Sequence, residues 1–390
     1  MSQPSTIVIL GFGSLMESLL PCCYSLLKTS DPQQLAKSIY AVKGSTQGLS
    51  QKQSQYPFPI TAANNLQVLE EVHPDVILFS PPPSKARELC ETVLLPYYQA
   101  LRQQNQPLPL LITFPPTPLP RYYRQILGKD AIQATLLPCV VQRAGSYTVG
   151  HLGYSLLALD GRNFPDQQRM QWLQNFTRPV GNLLFPAQDD LIACLAGMVT
   201  AHNVYELCFT LEEAFSYTQE PLSLPEIAAA MRRELRRFAP ELIPADDPQA
   251  PECTGTQSPL YEEIVGHTLR GWYEGLCLFA AEKKLDLQDY GSFLRSTLDV
   301  LLMTVQTETQ ETLQHLSAGC ATKGGLLEQA LLSFAQKVAH PLSHWVLEDI
   351  AETSQDCIVE RQENESWAVQ LVSLAQQVAE DVFARGNHLE

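Results

Sequence analysis

Ile7-Val8-Ile9-Leu10-Gly11-Phe12-Gly13-Ser14-Leu15-Met16-Glu17 reads as a strand, a tight turn and the start of a helix. Four consecutive apolar residues mark a strand buried on both faces, as strands of a parallel sheet are. Gly11 and Gly13 let the backbone turn sharply. Without side chains there, a bulky pyrophosphate can reach the first N–H groups of the helix, around Ser14 and Leu15. Ser14 is a suitable helix cap. Pro21 falls where this helix should continue, so the helix must kink or end early.

Working outward, further strands are expected at Ser38–Val42, Val76–Ser80, Pro109–Thr113, Ala134–Leu137 and Tyr154–Leu159, with helical patterns at Leu66–Glu71, Ser84–Gln103 and Leu119–Leu127. Strands alternating with helices imply a parallel sheet covered on both sides. Asn163-Phe164-Pro165-Asp166 looks like a turn before a helix. Beyond residue 187 the strand signals stop. Amphipathic helices are expected at Asp189–Gln219, Leu224–Phe238, Leu260–Lys284, Leu287–Leu316, Gly325–Val338 and Ser366–Ala384, with Pro240–Pro259 an exposed loop. The fold class is therefore an α/β Rossmann dinucleotide-binding domain over residues 1–186 followed by an all-α domain over residues 187–390.

The 390 residues are 45% hydrophobic and 17% charged, a composition that buries a core. The net charge of −16 argues against nucleic acid or an anionic membrane as partner, since both need a basic surface. It leaves room for an anionic cofactor, which needs only local N–H groups and a few cations. No segment reads as a membrane span of roughly 20 apolar residues or as a signal peptide. The ten cysteines have no zinc-type spacing and read as reduced thiols of a cytoplasmic protein, with no metal site.

The second strand runs into Lys43-Gly44-Ser45-Thr46. A carboxylate at this place would hydrogen-bond the ribose hydroxyls of NAD. A lysine with two hydroxyl side chains suits a 2′-phosphate instead, so Lys43, Ser45 and Thr46 favour NADP, with NADPH preferred over NADH. The plainer reading is a solvated lysine in a Gly/Ser turn.

With these motifs the chain resembles the pyrroline-5-carboxylate reductase family. Ile9–Leu20 resembles the family's opening turn, with Met16 in the third small-residue place. Thr61–Asn65 through Pro74–Leu78 resembles the segment that brings an asparagine, here Asn64, near the adenosine. Ser80-Pro81-Pro82-Pro83 stands where the family has a small residue and Val-Lys-Pro, with Pro82 replacing the lysine. Leu137-Pro138-Cys139 stands for Met-Pro-Asn. In the second half, Ser317-Ala318-Gly319-Cys320-Ala321-Thr322-Lys323-Gly324-Gly325-Leu326 resembles the Ser-Pro-Gly-Gly-Thr-Thr loop and the helix after it. Asp190–Tyr205 covers a motif that is barely recognisable, with His202 near its missing Gly-Pro.

The resemblance implies an NAD(P)H-dependent enzyme reducing a C=N bond in a small imino acid, working as a homodimer or higher homo-oligomer whose helical domains interlock. It puts Asn64, Ser80 and Pro81 beside the cofactor. The substrate carboxylate needs N–H and hydroxyl donors, for which Thr322 and Ser317 are the candidates; helix capping alone is the simpler role for both. His202, on an apolar helix, is either a satisfied core histidine or a proton donor. Cys320 is a reactive thiol or a passive small residue. The departures cluster at the substrate end. That leaves open proline synthesis itself, another Rossmann dehydrogenase, or a non-catalytic nucleotide-binding interaction or sensor protein. A β-hydroxyacid dehydrogenase usually relies on an early helical lysine, and Asp189–Gln219 contains none.

Overall fold

Ile7–Leu10 forms strand β1, with every residue buried. Its side chains alternate between two cores: Ile7 and Ile9 pack with Met16, Leu19 and Leu78 on one face, Val8 and Leu10 with Ile77, Phe79 and Leu111 on the other. Burial on both faces explains an apolar run with no polar interruption. The strands that follow are β2 (Ile39–Val42), β3 (Ile60–Thr61), β4 (Val76–Phe79), β5 (Leu110–Thr113), β6 (Ile132–Leu137), β7 (Val140–Arg143), β8 (Ser146–Val149), β9 (Tyr154–Leu159) and β10 (Asn182–Leu184). This computed structural model describes residues 3–62, 64–138, 140–143, 146–149, 154–159, 166–180, 182–186, 191–218, 221–238, 259–321, 323–353 and 367–389. The chain divides into two units, Met1–Leu191 with Leu389–Glu390, and Ile192–His388.

In the first unit eight strands form one sheet in the order β3-β2-β1-β4-β5-β6-β9-β10. The first six are mutually parallel, in the doubly wound order of a Rossmann domain. β9 runs antiparallel to β6, and β10 is parallel to β9. β7 and β8 form a separate antiparallel hairpin. All six expected strands lie in the main sheet. The short strands β3, β7, β8 and β10, and the helices Pro32–Ser38 and Leu49–Gln55, were not foreseen.

The conflict at Pro21 is resolved by a break. A first helix, Ser14–Ser18, ends at Leu19, and a second, Leu20–Leu27, starts with the proline in its first turn, where no N–H is needed. The pattern over residues 84–103 is Pro83–Leu89, a π-turn Cys90–Leu94 and Leu95–Gln103. The π-turn ends two residues before Pro96, and the wider turn accommodates the ring and its missing donor. Ala335–Ala339 is a second π-turn, ahead of Pro341. Asp166 caps Gln167–Thr177 through the Gln168 and Arg169 N–H groups, at 2.9 and 3.1 Å; residues 163–165 of the expected turn lie outside the described residues.

The second unit is helical among its described residues. Three expectations are corrected. The helix expected over Asp189–Gln219 is two, Leu191–Ala201 and Val204–Phe215, parted at His202 and Asn203; residues 187–190 and 219 lie outside the described residues. The helix expected over Leu287–Leu316 is also two, Leu287–Thr307 and Gln310–Cys320. Glu308 is extended there, and the Thr309 hydroxyl restarts the helix by accepting from the Thr312 N–H. Ser317 through Cys320 therefore form the last turn of a helix, not a loop, and the connecting loop starts at Ala321. The remaining helices are Leu224–Phe238, Pro259–Glu282, Leu326–Phe334, His340–Thr353 and Trp367–Leu389. The loop expected at Pro240–Pro259 is outside the described residues apart from Pro259.

Leu224–Phe238 and Leu287–Thr307 are joined by a buried ion pair, Arg232 Nε to Asp299 Oδ1 at 2.8 Å, with Arg232 Nη1 on Gln306 Oε1 at 3.2 Å. One stretch among the described residues, Leu191–Phe215, is long and apolar enough to cross a membrane, and 78% of its most apolar window is buried inside the protein. Glu206, Glu212 and Glu213 interrupt its apolar run.

Candidate functional site

The order of strands reverses between β1 and β4, and in doubly wound sheets ligands bind outside the carboxyl ends of the strands at such a point. The residues after those ends are tied together. The Gly11 and Phe12 N–H groups donate to the Val42 carbonyl at 3.0 and 2.9 Å, and the Ser80 N–H donates to Leu10 O at 2.8 Å. Gly11 has φ +93, and a Cβ there would lie 2.4 Å from Ser80 O and 2.9 Å from Pro81 N. Only glycine fits. Gly13 differs: a Cβ would meet nothing within 4 Å, so open space faces this residue. Gly13 is the N-cap of Ser14–Ser18 with no side chain capping it, which leaves the Ser14 and Leu15 N–H groups without intrahelical acceptors. An open cradle above first-turn N–H groups is what a dinucleotide pyrophosphate needs, so the residues present fit that group. Met16, in the third small-residue place, is fully buried in the core.

Lys43 follows β2. Its Nζ donates to Ser45 Oγ at 3.4 Å and to the Gln47 carbonyl, so the lysine is folded over its own loop; Ser45 and Thr46 are exposed. Asn64 spends its side chain on capping, with Oδ1 accepting from Leu66 N at 3.0 Å. Ser80 and Pro81 lie against Gly11, as described.

Sequence reasoning missed a second group around the turn. Glu17 accepts from Lys52 Nζ at 2.5 Å and from the Tyr56 hydroxyl at 3.1 Å. Burial, and then the Glu17 charge, push the Tyr56 phenol up to about 12. Phe12 is packed edge-on against Tyr56 and Phe58, with Lys52 Nζ 5.5 Å from its ring centre. These contacts tie Leu49–Gln55 to the glycine turn. The only available signal was a short helix with no apolar stripe.

In the helical unit the structure unites two nominated residues that are 115 positions apart. His202 Nε2 lies 3.1 Å from Ser317 Oγ. His202 sits in the break between two helices, its ring edge-on to Tyr205 at 4.6 Å. Its neighbour Asn203 holds the break in place by donating from Nδ2 to the Ala330 carbonyl at 3.1 Å. Burial pulls His202 down from 6.5 to about 4, so the imidazole is neutral at ordinary pH. Ser317 is only 4% exposed. Thr322 lies outside the described residues, as do the side chain of Cys320 and all of Ala63 and Cys139. Further along, Gly324 takes φ +72; its N–H donates to Glu328 Oε2 at 2.5 Å, and its carbonyl accepts from Arg385 Nε at 2.8 Å and Nη2 at 2.5 Å. Among the described residues no group of His, Cys, Asp and Glu could hold a metal ion.

No protein-family profile and no curated protein sequence matches the chain. Solved structures do align with it. A pyrroline carboxylate reductase from Plasmodium falciparum, with NADP bound, is 12% identical over 99% of this chain and 100% of its own, with a TM-score of 0.42. A D-mandelate dehydrogenase in complex with NADH is 11% identical over 99% of this chain and 100% of its own, at 0.42. A prephenate dehydrogenase from Aquifex aeolicus, in complex with hydroxyphenyl propionate and NAD+, is 15% identical over 73% of this chain and 87% of its own, at 0.40.

Proposed function

We propose that this chain is an NAD(P)H-dependent reductase of a C=N bond in a small carboxylated imino acid, of the pyrroline-5-carboxylate reductase type. The observation that carries the reading is the glycine turn at the β1/β4 reversal: Gly11 fixed by Ser80 and Pro81, Gly13 open, and first-turn N–H groups of Ser14 and Leu15 without intrahelical acceptors. Bound there, the nicotinamide cofactor would supply the hydride. Lys43 and Ser45, already within hydrogen-bond distance, would receive the 2′-phosphate of NADPH, with Thr46 beside them. Ser317 and Thr322 are the proposed substrate contacts, and neutral His202 sets the direction of the Ser317 hydroxyl. A protonated imine is already electrophilic, so this chemistry needs no strong acid from the protein.

A spectrophotometric screen of NADPH oxidation against cyclic and linear imino acids, pyrroline-5-carboxylate included, tests the reaction. Turnover of none of them, with turnover of a 2-oxo or hydroxy acid instead, would overturn it. Tighter binding of NADH than NADPH, or a Lys43→Ala variant that keeps its NADPH preference, would remove the 2′-phosphate assignment. The His202–Ser317 pair favours one second reading: a Rossmann dehydrogenase of a C–OH/C=O couple, where a positioned histidine or hydroxyl can exchange a proton with the oxygen. A cytoplasmic location is proposed alongside the first reading.

A further inference from the structure

The structure assigns Arg385 to recognition of the substrate carboxylate, an inference that rests on the proposed imino-acid reading. The guanidinium carries five N–H donors. Through Nε and Nη2 it holds the Gly324 carbonyl, in the turn between Gln310–Cys320 and Leu326–Phe334. One Nη1 hydrogen and the remaining Nη2 hydrogen form its end edge, which matches a carboxylate with two parallel hydrogen bonds.

Arg385 differs in its surroundings from four other arginines. Other arginines of this acidic protein face carboxylates: Arg102 with Asp130, Arg169 with Asp166, Arg232 with Asp299 and Arg270 with Glu234. Arg385 is half-buried and has no carboxylate partner among the described residues. Its natural partner would be Asp381, one turn earlier on Trp367–Leu389. Asp381 is taken: its Oδ2 accepts from Ser333 Oγ at 2.5 Å and from Lys337 Nζ at 2.6 Å. Glu328, the acid nearest in the turn, is held on the Gly324 N–H. Gly386 keeps the helix close, since a Cβ there would lie 2.6 Å from Ile192 and 3.6 Å from Leu326. The guanidinium is thus fixed beside the turn that follows Ser317, with its charge unneutralised. An unpaired half-buried cation is costly unless a ligand supplies the anion.

Calorimetric titration of the NADP+-loaded protein with L-proline and with pyrrolidine, which lacks the carboxylate, tests this. The wild type should bind proline at least about tenfold more tightly than pyrrolidine. Arg385→Ala should abolish that preference while leaving pyrrolidine and NADPH affinities unchanged, and Arg385→Lys should restore part of it. A wild type without the preference, an Arg385→Ala variant that keeps it, or an equal loss for both compounds would overturn the assignment; the last result would make Arg385 only a clamp on Gly324. If wild type shows the Arg385-dependent preference yet turns over no imine with NADPH, the carboxylate assignment stands and the proposed reaction fails.

Discussion

At the scale of the residue, the two glycines of one turn have opposite reasons for being there. Gly11 is demanded by the fold, because both its positive φ and the approach of Ser80 exclude a side chain. Gly11→Ala should therefore destabilise the protein by more than about 2 kcal/mol. Gly13 has φ −116 and ψ −170, which any residue adopts, and space around it. Gly13→Ala should leave stability within about 0.5 kcal/mol and weaken NADPH binding. Thermal melts with and without NADPH separate the two; a Gly13→Ala protein that binds NADPH normally would remove the cradle. His202 carries a pH dependence of definite sign. Its pKa falls from 6.5 to about 4 on folding, so between these values the unfolded chain binds more protons. This contribution to stability is complete above pH 6.5 and is lost as pH drops towards 4, by about 3 kcal/mol. Chemical denaturation of wild type and His202→Gln across that window should show the slope weakened in the variant.

At the scale of the element, the Arg232–Asp299 pair fastens two helices of the second unit, with both groups almost wholly enclosed. Asp299→Ala strands a buried guanidinium and should cost about 3–5 kcal/mol, while the double change with Arg232→Met should recover most of it. Urea melts would show this, and equal losses in the single and double variants would contradict it. Which elements were legible follows from the same physics. β1, β2, β4, β5, β6 and β9 are readable because they are buried on both faces or paired along their length, which leaves a continuous apolar run. β3 has two residues and β10 three, too few for any period. The breaks at His202 and Glu308 were hidden because apolar spacing continues across them; the Thr309 cap was the available sign. Of the candidate site, the turn at Gly11 and Gly13 and the place of Lys43 just after β2 were legible from local order along the chain. The meeting of His202 with Ser317 was not, nor Arg385, whose contacts depend on helices far apart in sequence.

At the scale of the whole molecule, the helical unit leaves Leu278, Leu332 and Val369 more than half exposed. We propose that a second copy of the chain covers such surface, as the family resemblance implies, giving at least a homodimer. Light scattering at micromolar concentration should return twice the mass of the chain or more; a clean monomer would refute it. The sheet, by contrast, is guarded against its own kind. Its most apolar strands are central, and its two margins are β3 and β10, stubs of two and three residues. Such margins offer almost no row of bare amides on which another sheet could grow. Growth of this sheet by strand addition is thereby discouraged.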